Sequence, residues 1–264
     1  MTEPTAISVA GRPATVVQTG SGPDLLLVHS LLAERSSFDR VLPALAARFH
    51  VTVPDLPGYG GTGPLPEPVR MEDYADWVAE LIRTLRLPRS TTVLGNGFGG
   101  FVSTALAVRH GALFGKLIVA DALPGFPAPA KEPLRGLAAR VASEGMRGAL
   151  DIAIRRMFPE DYIAANPGIV AERKEALLSA AEPGAFGRAA LALTELDLTP
   201  ALGKIKNPTL VLCGALDQTT PPEIARELAA GIPGARYEEI PECGHCPQVQ
   251  KPDALVGHAV AFAA

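Results

Sequence analysis

The sequence predicts an α/β chain with a mostly parallel central sheet, helices on both faces and an inserted helical lid. Three observations predict it. Short apolar runs closed by turn residues recur along the chain, and amphipathic stretches separate them. Between Pro124 and Pro208 that alternation stops and only helical periodicity remains. With 264 residues, 47% of them apolar, the chain can bury a sizeable core. The expected core spans 1–124 and 208–264, with the lid over 125–207.

The elements follow in order. Ile7 to Ala10 and Ala14 to Gln18, split by Gly11-Arg12-Pro13, read as an antiparallel hairpin opening the sheet. Leu25 to Val28, Val51 to Val53, Thr92 to Leu94, Leu117 to Ala120 and Leu210 to Leu212 read as buried, mostly parallel strands, since strands covered on both faces are apolar throughout. Tyr74, Trp77, Val78, Leu81, Ile82 and Leu85 recur at helical spacing, with Glu72 and Asp73 in the first turn and Arg83 and Arg86 in the last. Charge and macrodipole agree, and Pro88 stops the helix. Trp77 is thereby a core residue rather than a ligand platform. Phe126-Pro127-Ala128-Pro129 marks the exit into the insertion, where about four helices are expected; Leu150, Ile154 and Met157 share a face, and Glu172 to Ala181 and Phe186 to Leu196 continue the pattern. Set over the carboxyl ends of the strands, they would wall a pocket and exclude water. Arg236 to Ile240 is the last short strand.

Composition narrows the function classes. With 24 basic against 28 acidic residues and no block of like charge, the chain has no electrostatic footprint for nucleic acid or an anionic membrane. No apolar run approaches the ~18 residues that span a bilayer. Three cysteines without a disulfide-scaffold spacing, and a Met-Thr-Glu-Pro start without signal-peptide character, point to a reduced, cytoplasmic setting. Cys243 and Cys246 flank His245, but their spacing fits no zinc pattern, so no metal and no cofactor are expected. The expected partner is a small-molecule substrate, and a homo-oligomer is left open.

The chemistry gathers at strand ends, where open α/β sheets place their ligands. Val93-Leu94-Gly95-Asn96-Gly97-Phe98-Gly99-Gly100 reads as Gly-x-Ser-x-Gly with glycine as its central residue. In that motif a serine sits on a sharp strand-to-helix turn that lifts its hydroxyl above the sheet. Asp217 lies just past an apolar strand and ahead of Thr220-Pro221-Pro222, with Thr220 as the expected helix N-cap. His245 follows the last strand. Nucleophile position, acid, histidine is the chain order of one known triad arrangement, and Asp121, ending its own strand, is the rival acid. Val28-His29-Ser30-Leu31-Leu32 is a strand end whose Leu31 amide, with that of Phe98, would form an oxyanion hole. His29, Ser30, Asn96 and Tyr162 are the expected substrate-binding residues. His110, ahead of Gly111, belongs to a helix end.

Taken together, His29-Ser30, Asp55-Leu56-Pro57-Gly58-Tyr59-Gly60-Gly61-Thr62-Gly63, the frame around Gly97, Asp217, and Gly244-His245-Cys246-Pro247 resemble the α/β-hydrolase family over essentially the whole chain. Thr219-Thr220-Pro221-Pro222, Ile232-Pro233-Gly234-Ala235-Arg236 and the serine after the strand-end histidine resemble its 3-oxoadipate enol-lactonase-like branch. The resemblance implies an α/β-hydrolase fold and a serine-type hydrolase of a small carboxylic ester or lactone working through an acyl-enzyme. Ser30 departs from it, standing where the family usually has glycine, and so does Gly97. Position 97 offers no aspartate nucleophile, as dehalogenases and epoxide hydrolases use, and the insertion's one tyrosine, Tyr162, does not match the paired lid tyrosines of epoxide hydrolases.

Glycine at 97 leaves three readings. The chain is an inactive form of a serine hydrolase, its nucleophile replaced. Or glycine is natural, and His245 acts as general base for non-covalent hydrolysis, a lyase step or an isomerisation. Or the chain is a non-catalytic small-molecule binding member. In each, the turn requires a strained backbone at 97, which glycine adopts at little cost.

Overall fold

Eight strands form one sheet in the order β1-β2-β4-β3-β5-β6-β7-β8 in the computed structural model, which describes residues 3–263. They are β1 (Thr5–Val9), β2 (Arg12–Thr19), β3 (Asp24–Val28), β4 (His50–Pro54), β5 (Thr92–Asn96), β6 (Lys116–Ala120), β7 (Thr209–Gly214) and β8 (Arg236–Ile240). β1 and β2 run antiparallel, as does β2 against β4; every other pairing is parallel. Around the sheet lie α1 (Leu42–Ala46), α2 (Met71–Thr84), α3 (Phe98–His110), α4 (Ala128–Glu144), α5 (Leu150–Met157), α6 (Glu160–Ala165), α7 (Pro167–Ala180), α8 (Pro183–Glu195), α9 (Pro222–Gly231), α10 (Pro247–Gln250) and α11 (Pro252–Ala263).

The central strands alternate between two apolar layers. Leu25, Leu27, Val51, Leu94, Ile118, Leu210 and Leu212 face α1 and α11 through Leu45, Leu255 and Ala259. Leu26, Val28, Val93, Leu117, Val119 and Val211 face the other layer, which α2, α3, α9 and the insertion fill. Burial on both faces is what makes these strands read as unbroken apolar runs. α3 is buried from Phe98 to Ala107, mostly apolar all round because it lies between the sheet and α2.

The close crossing of α3 over the sheet depends on two glycines. A Cβ on Gly99 would run into the carbonyls of Val28 and His29, and one on Gly95 into the Gly99 carbonyl and Ser103 Oγ. Apart from Ser103 Oγ these contacts are with backbone, which cannot step aside.

Three local readings are corrected. The opening hairpin turns at Ala10-Gly11, both with positive φ (51° and 75°), a two-residue turn whose twist matches the strands, so Arg12 and Pro13 belong to β2. α2 ends at Thr84. Arg86 takes φ 53° in a left-handed turn, with its N–H bonded to Arg83 O and that of Leu87 to Ile82 O, so only Arg83 lies in the last turn. The insertion between β6 and β7 carries α4 to α8, one helix more than about four, because Asn166-Pro167 divides α6 from α7. Trp77 is a core residue, 5% exposed. Among the described residues no helix is long and apolar enough to cross a membrane.

Candidate active site

β5 ends at Asn96, and the chain turns at Gly97 with φ 54° and ψ −121° before α3 starts at Phe98. Side chains rarely adopt that backbone, so the turn is the strained one the motif demands, and glycine holds it without penalty. The Gly97 N–H is tied to Ala120 O at 2.9 Å, which fixes the turn against β6.

The carboxyl end of β7 carries Asp217, buried at 3% exposure, and the loop after β8 carries His245, at 8%. Nδ1 of His245 lies 2.8 Å from Asp217 Oδ2 and 3.2 Å from Thr220 Oγ1. Thr220 Oγ1 itself donates to Asp217 Oδ2 at 2.5 Å, while the amides of Thr219 and Thr220 donate to Oδ1 at 2.7 and 3.0 Å. Burial pushes the Asp217 carboxyl up, but the imidazole and these donors outweigh it and hold it below the ordinary carboxylate range. A carboxylate there assigns the proton to Nδ1 and leaves the Nε2 lone pair bare. Nε2 points toward residue 97: a Cβ placed on Gly97 would lie 2.9 Å from it.

The same Cβ would lie 3.0 Å from Ser30 Cβ and overlap Ser30 Oγ. Ser30, just beyond β3 and 5% exposed, thus turns its side chain into the space above Gly97. Leu31 and Phe98 line the same cavity. Phe98 opens α3, so its N–H has no acceptor inside the helix, and the Leu31 N–H has no partner among the described residues. Two donors of this kind can receive a developing oxyanion.

Asp121, the rival acid, lies beneath, fully buried and with φ 53°. Its carboxyl accepts the Gly214 N–H at 2.8 Å and Asn96 Nδ2 at 3.0 Å. Burial and the nearby Asp217 charge push it well above the ordinary range, so it holds its proton. No hydrogen bond joins it to His245.

Three expected substrate-binding residues stand elsewhere, and the N-cap is corrected. His29 is fully buried, with Nδ1–H donated to Ser30 O and Nε2 accepting the Leu56 N–H, both at 2.9 Å; it ties two loops together, and burial lowers its pKa. Asn96 is also sealed in: Nδ2 donates to Asp121 and to His245 O (3.2 Å), and Oδ1 accepts from Gln248 Nε2 at 2.8 Å. It positions the His245 loop from below. Tyr162, on α6, packs on Phe158 with ring centroids 5.0 Å apart and does not line the cavity. Thr220 is no N-cap, because its hydroxyl is taken by Asp217; Pro221 holds the cap position of α9 in extended conformation.

Several residues the sequence did not assign to the site line its cavity. Phe101, Phe126, Leu134, Leu137 and Met157 give the cavity apolar walls, largely from the insertion. Arg156, at the end of α5, also lines it; Arg156 O accepts the Thr219 hydroxyl at 2.8 Å, and the neighbouring Met157 O accepts the His245 N–H at 3.0 Å. Its guanidinium is largely buried, which draws its pKa down, and makes no ion pair among the described residues. Arg155 and Arg156 are adjacent, so only one can turn inward, and charge alone does not say which.

The cavity measures about 30 Å³, against the ~300–1,000 Å³ of ordinary small-molecule sites. A larger groove of about 640 Å³, along Val17, Arg35, Asp39 and Val53, shares no residue with it.

Residues 25–258 match the profile of the Alpha/beta hydrolase family. The chain belongs to that family. Similar proteins include the pimeloyl-[acyl-carrier protein] methyl ester esterase of Vibrio atlanticus, 30% identical over 254 residues (93% of this chain and 96% of that one). Among solved structures, the enol-lactonase of Burkholderia xenovorans superposes with a TM-score of 0.91 at 26% identity, covering 98% of this chain and 99% of the other. A thermophilic esterase from Thermogutta terrifontis with malate bound reaches 0.88 at 30% identity, covering 98% and 97%.

In this alpha/beta hydrolase, oxygens of Asp121 and Asp217 and the Cys213 sulfur lie within 4.8 Å of one another, all buried. The oxygens of both acids already accept from protein donors, and the Cys213 thiol, pushed up by burial and both aspartates, is directed at the Gly214 and Thr220 carbonyls. Such a set serves hydrogen bonding rather than a cation.

Proposed function

We propose that this alpha/beta hydrolase acts on a small carboxylic ester or lactone, with Asp217 and His245 as its acid–base pair and the α4–α8 insertion as a lid. One observation carries the reading: His245, oriented by a buried carboxylate, aims a bare Nε2 at the strained turn of residue 97. In this reading His245 moves the proton of the attacking hydroxyl, Asp217 stabilises the imidazolium, and the Leu31 and Phe98 amides take up the oxyanion. The relatives are an ester hydrolase and a lactonase, which supports acyl transfer from oxygen. Arg156 favours a substrate with a carboxylate besides the scissile bond, in keeping with the malate held by the similar Thermogutta terrifontis esterase. The narrow cavity supports a lid that shifts to admit it.

With no hydroxyl on residue 97 the chain is an impaired form of such an enzyme, since losing the nucleophile of a full triad costs on the order of 10⁶-fold in turnover. Gly97→Ser, assayed on aryl esters and lactones, is expected to raise turnover by at least about 10³-fold. A folded Gly97→Ser protein that, like the unaltered chain, turns over no ester or lactone rejects the reading. A second reading, in which His245 acts as general base without a covalent intermediate, in hydrolysis, a lyase step or an isomerisation, draws on the same bare Nε2. Turnover by the unaltered chain that disappears in His245→Ala, with no covalent adduct, favours it.

A further inference from the structure

We infer that in this chain the Ser30 hydroxyl serves as the nucleophile for the His245–Asp217 pair, in place of a group on residue 97. The inference rests on the ester or lactone reading and goes beyond it. A Cβ on Gly97 would overlap Ser30 Oγ and stand 2.9 Å from His245 Nε2, so the Ser30 hydroxyl and the base nitrogen both border the space that a side chain on residue 97 would fill.

That hydroxyl is uncommitted. Ser30 Oγ has no hydrogen-bond partner among the described residues, and Ser30 lines the cavity. Buried polar groups are ordinarily paired, so a bare hydroxyl and a bare imidazole nitrogen bordering one space each have a partner still to take. Catalytic hydrogen bonds are often long without substrate and tighten once it binds.

The other hydroxyls and the thiol on the cavity wall are excluded in turn. Thr219 Oγ1 donates to Arg156 O, and Thr220 Oγ1 to Asp217. The Cys246 thiol is pushed up by burial and by Asp121 and Asp217, so it stays protonated. The amide donors also suit attack from Ser30: Leu31 follows it directly, and Phe98 lines the same cavity. A nucleophile at either position would be served by the same two N–H groups.

The step balances without a co-reactant other than water. Ser30 Oγ bonds to the carbonyl carbon while its proton passes to His245 Nε2. The carbon–oxygen bond to the leaving alkoxide breaks, and the alkoxide takes that proton; in a lactone it stays tethered to the acyl chain. Water then attacks the Ser30 ester, gives a proton to Nε2, and releases the carboxylic acid with the Ser30 hydroxyl restored.

An alkyl fluorophosphonate probe tests this, since it forms a stable phosphonyl ester with an activated serine and expels fluoride. The unaltered chain is expected to gain one adduct, mapped by peptide mass spectrometry to Ser30 and lost in both Ser30→Ala and His245→Ala. Ser30→Ala is also expected to lower aryl-ester turnover at least about 100-fold with its thermal melt unchanged; Ser30→Gly is the second variant if Ala disturbs the turn. A merely space-filling Ser30 would leave labelling unmoved. No adduct on Ser30, or an adduct on another residue, overturns the inference. Gly97→Ser separates the two failures. If that variant labels at position 97 and turns over esters while the unaltered chain does not label, Ser30 is not the nucleophile but the ester or lactone reading stands. If neither chain labels or turns over, both fall.

Discussion

Asp217 and Asp121 bring carboxyl oxygens within 4.8 Å of one another, yet only Asp217 touches the imidazole of His245. The two acids sit at the ends of neighbouring strands, and their environments drive them apart. Four protein donors keep Asp217 charged, whereas burial beside that charge keeps Asp121 neutral. In a Gly97→Ser background, Asp217→Asn is expected to lower kcat by about 10⁴-fold, since the amide reverses the tautomer of His245. Asp121→Asn leaves most of the activity. Steady-state kinetics on one aryl ester checks both, and a larger loss from Asp121→Asn would reverse the assignment.

The pair also predicts a pH dependence of stability with two opposite limbs. Asp217 is depressed on folding, so its contribution is present above its unfolded value of about 3.9 and is lost as pH falls through its folded one. Asp121 is raised, so its contribution is full below about 3.9 and fades as pH rises toward its folded value. Asp217→Asn should flatten the acid limb of a Tm-against-pH curve, and Asp121→Asn the fall toward neutral and alkaline pH.

Gly97→Ser is expected to cost stability even as it restores activity. A side chain on a φ 54° backbone is strained by about 1 to 2 kcal/mol, and it displaces Ser30 Oγ. The displaced group is the far end of a small side chain, so the cost stays modest. Thermal melts in which the serine form is clearly the more stable would contradict this.

Arg156 predicts a charge preference. Arg156→Gln, again with Gly97→Ser, should lower kcat/KM for esters bearing a carboxylate by about 10- to 100-fold, the usual range for a charge-assisted hydrogen bond, and spare neutral ones. Equal effects on both substrates would assign the side chain to packing instead.

The sheet was legible because burial on both faces writes an unbroken apolar run, and the positions of Asp217, His245 and Gly97 followed from the strand ends they occupy. Side-chain direction was not legible. His29 and Asn96 lie at strand ends as Asp217 does, but their rings and amides turn inward to bind Leu56, Asp121 and Gln248, partners up to 152 residues away. Thr220 looks like a helix cap by its neighbours and is claimed by a carboxylate three residues back. Arg156 is one charge in a charged pair, and its inward turn depends on how α5 seats against the sheet. Local pattern decides which elements form; long-range packing decides what each presents.

The glycine-lined passage of α3 beneath the turn leaves this catalyst a floor that cannot be remodelled. Any side chain added at Gly95 or Gly99 strikes main chain. The ceiling is built from separate helices through apolar side chains such as Leu134, Leu137 and Met157, which meet the cavity with side chain rather than main chain. Laboratory libraries that aim to broaden the range of compounds accepted should therefore be confined to that roof and to apolar exchanges of similar volume, which these buried positions tolerate best.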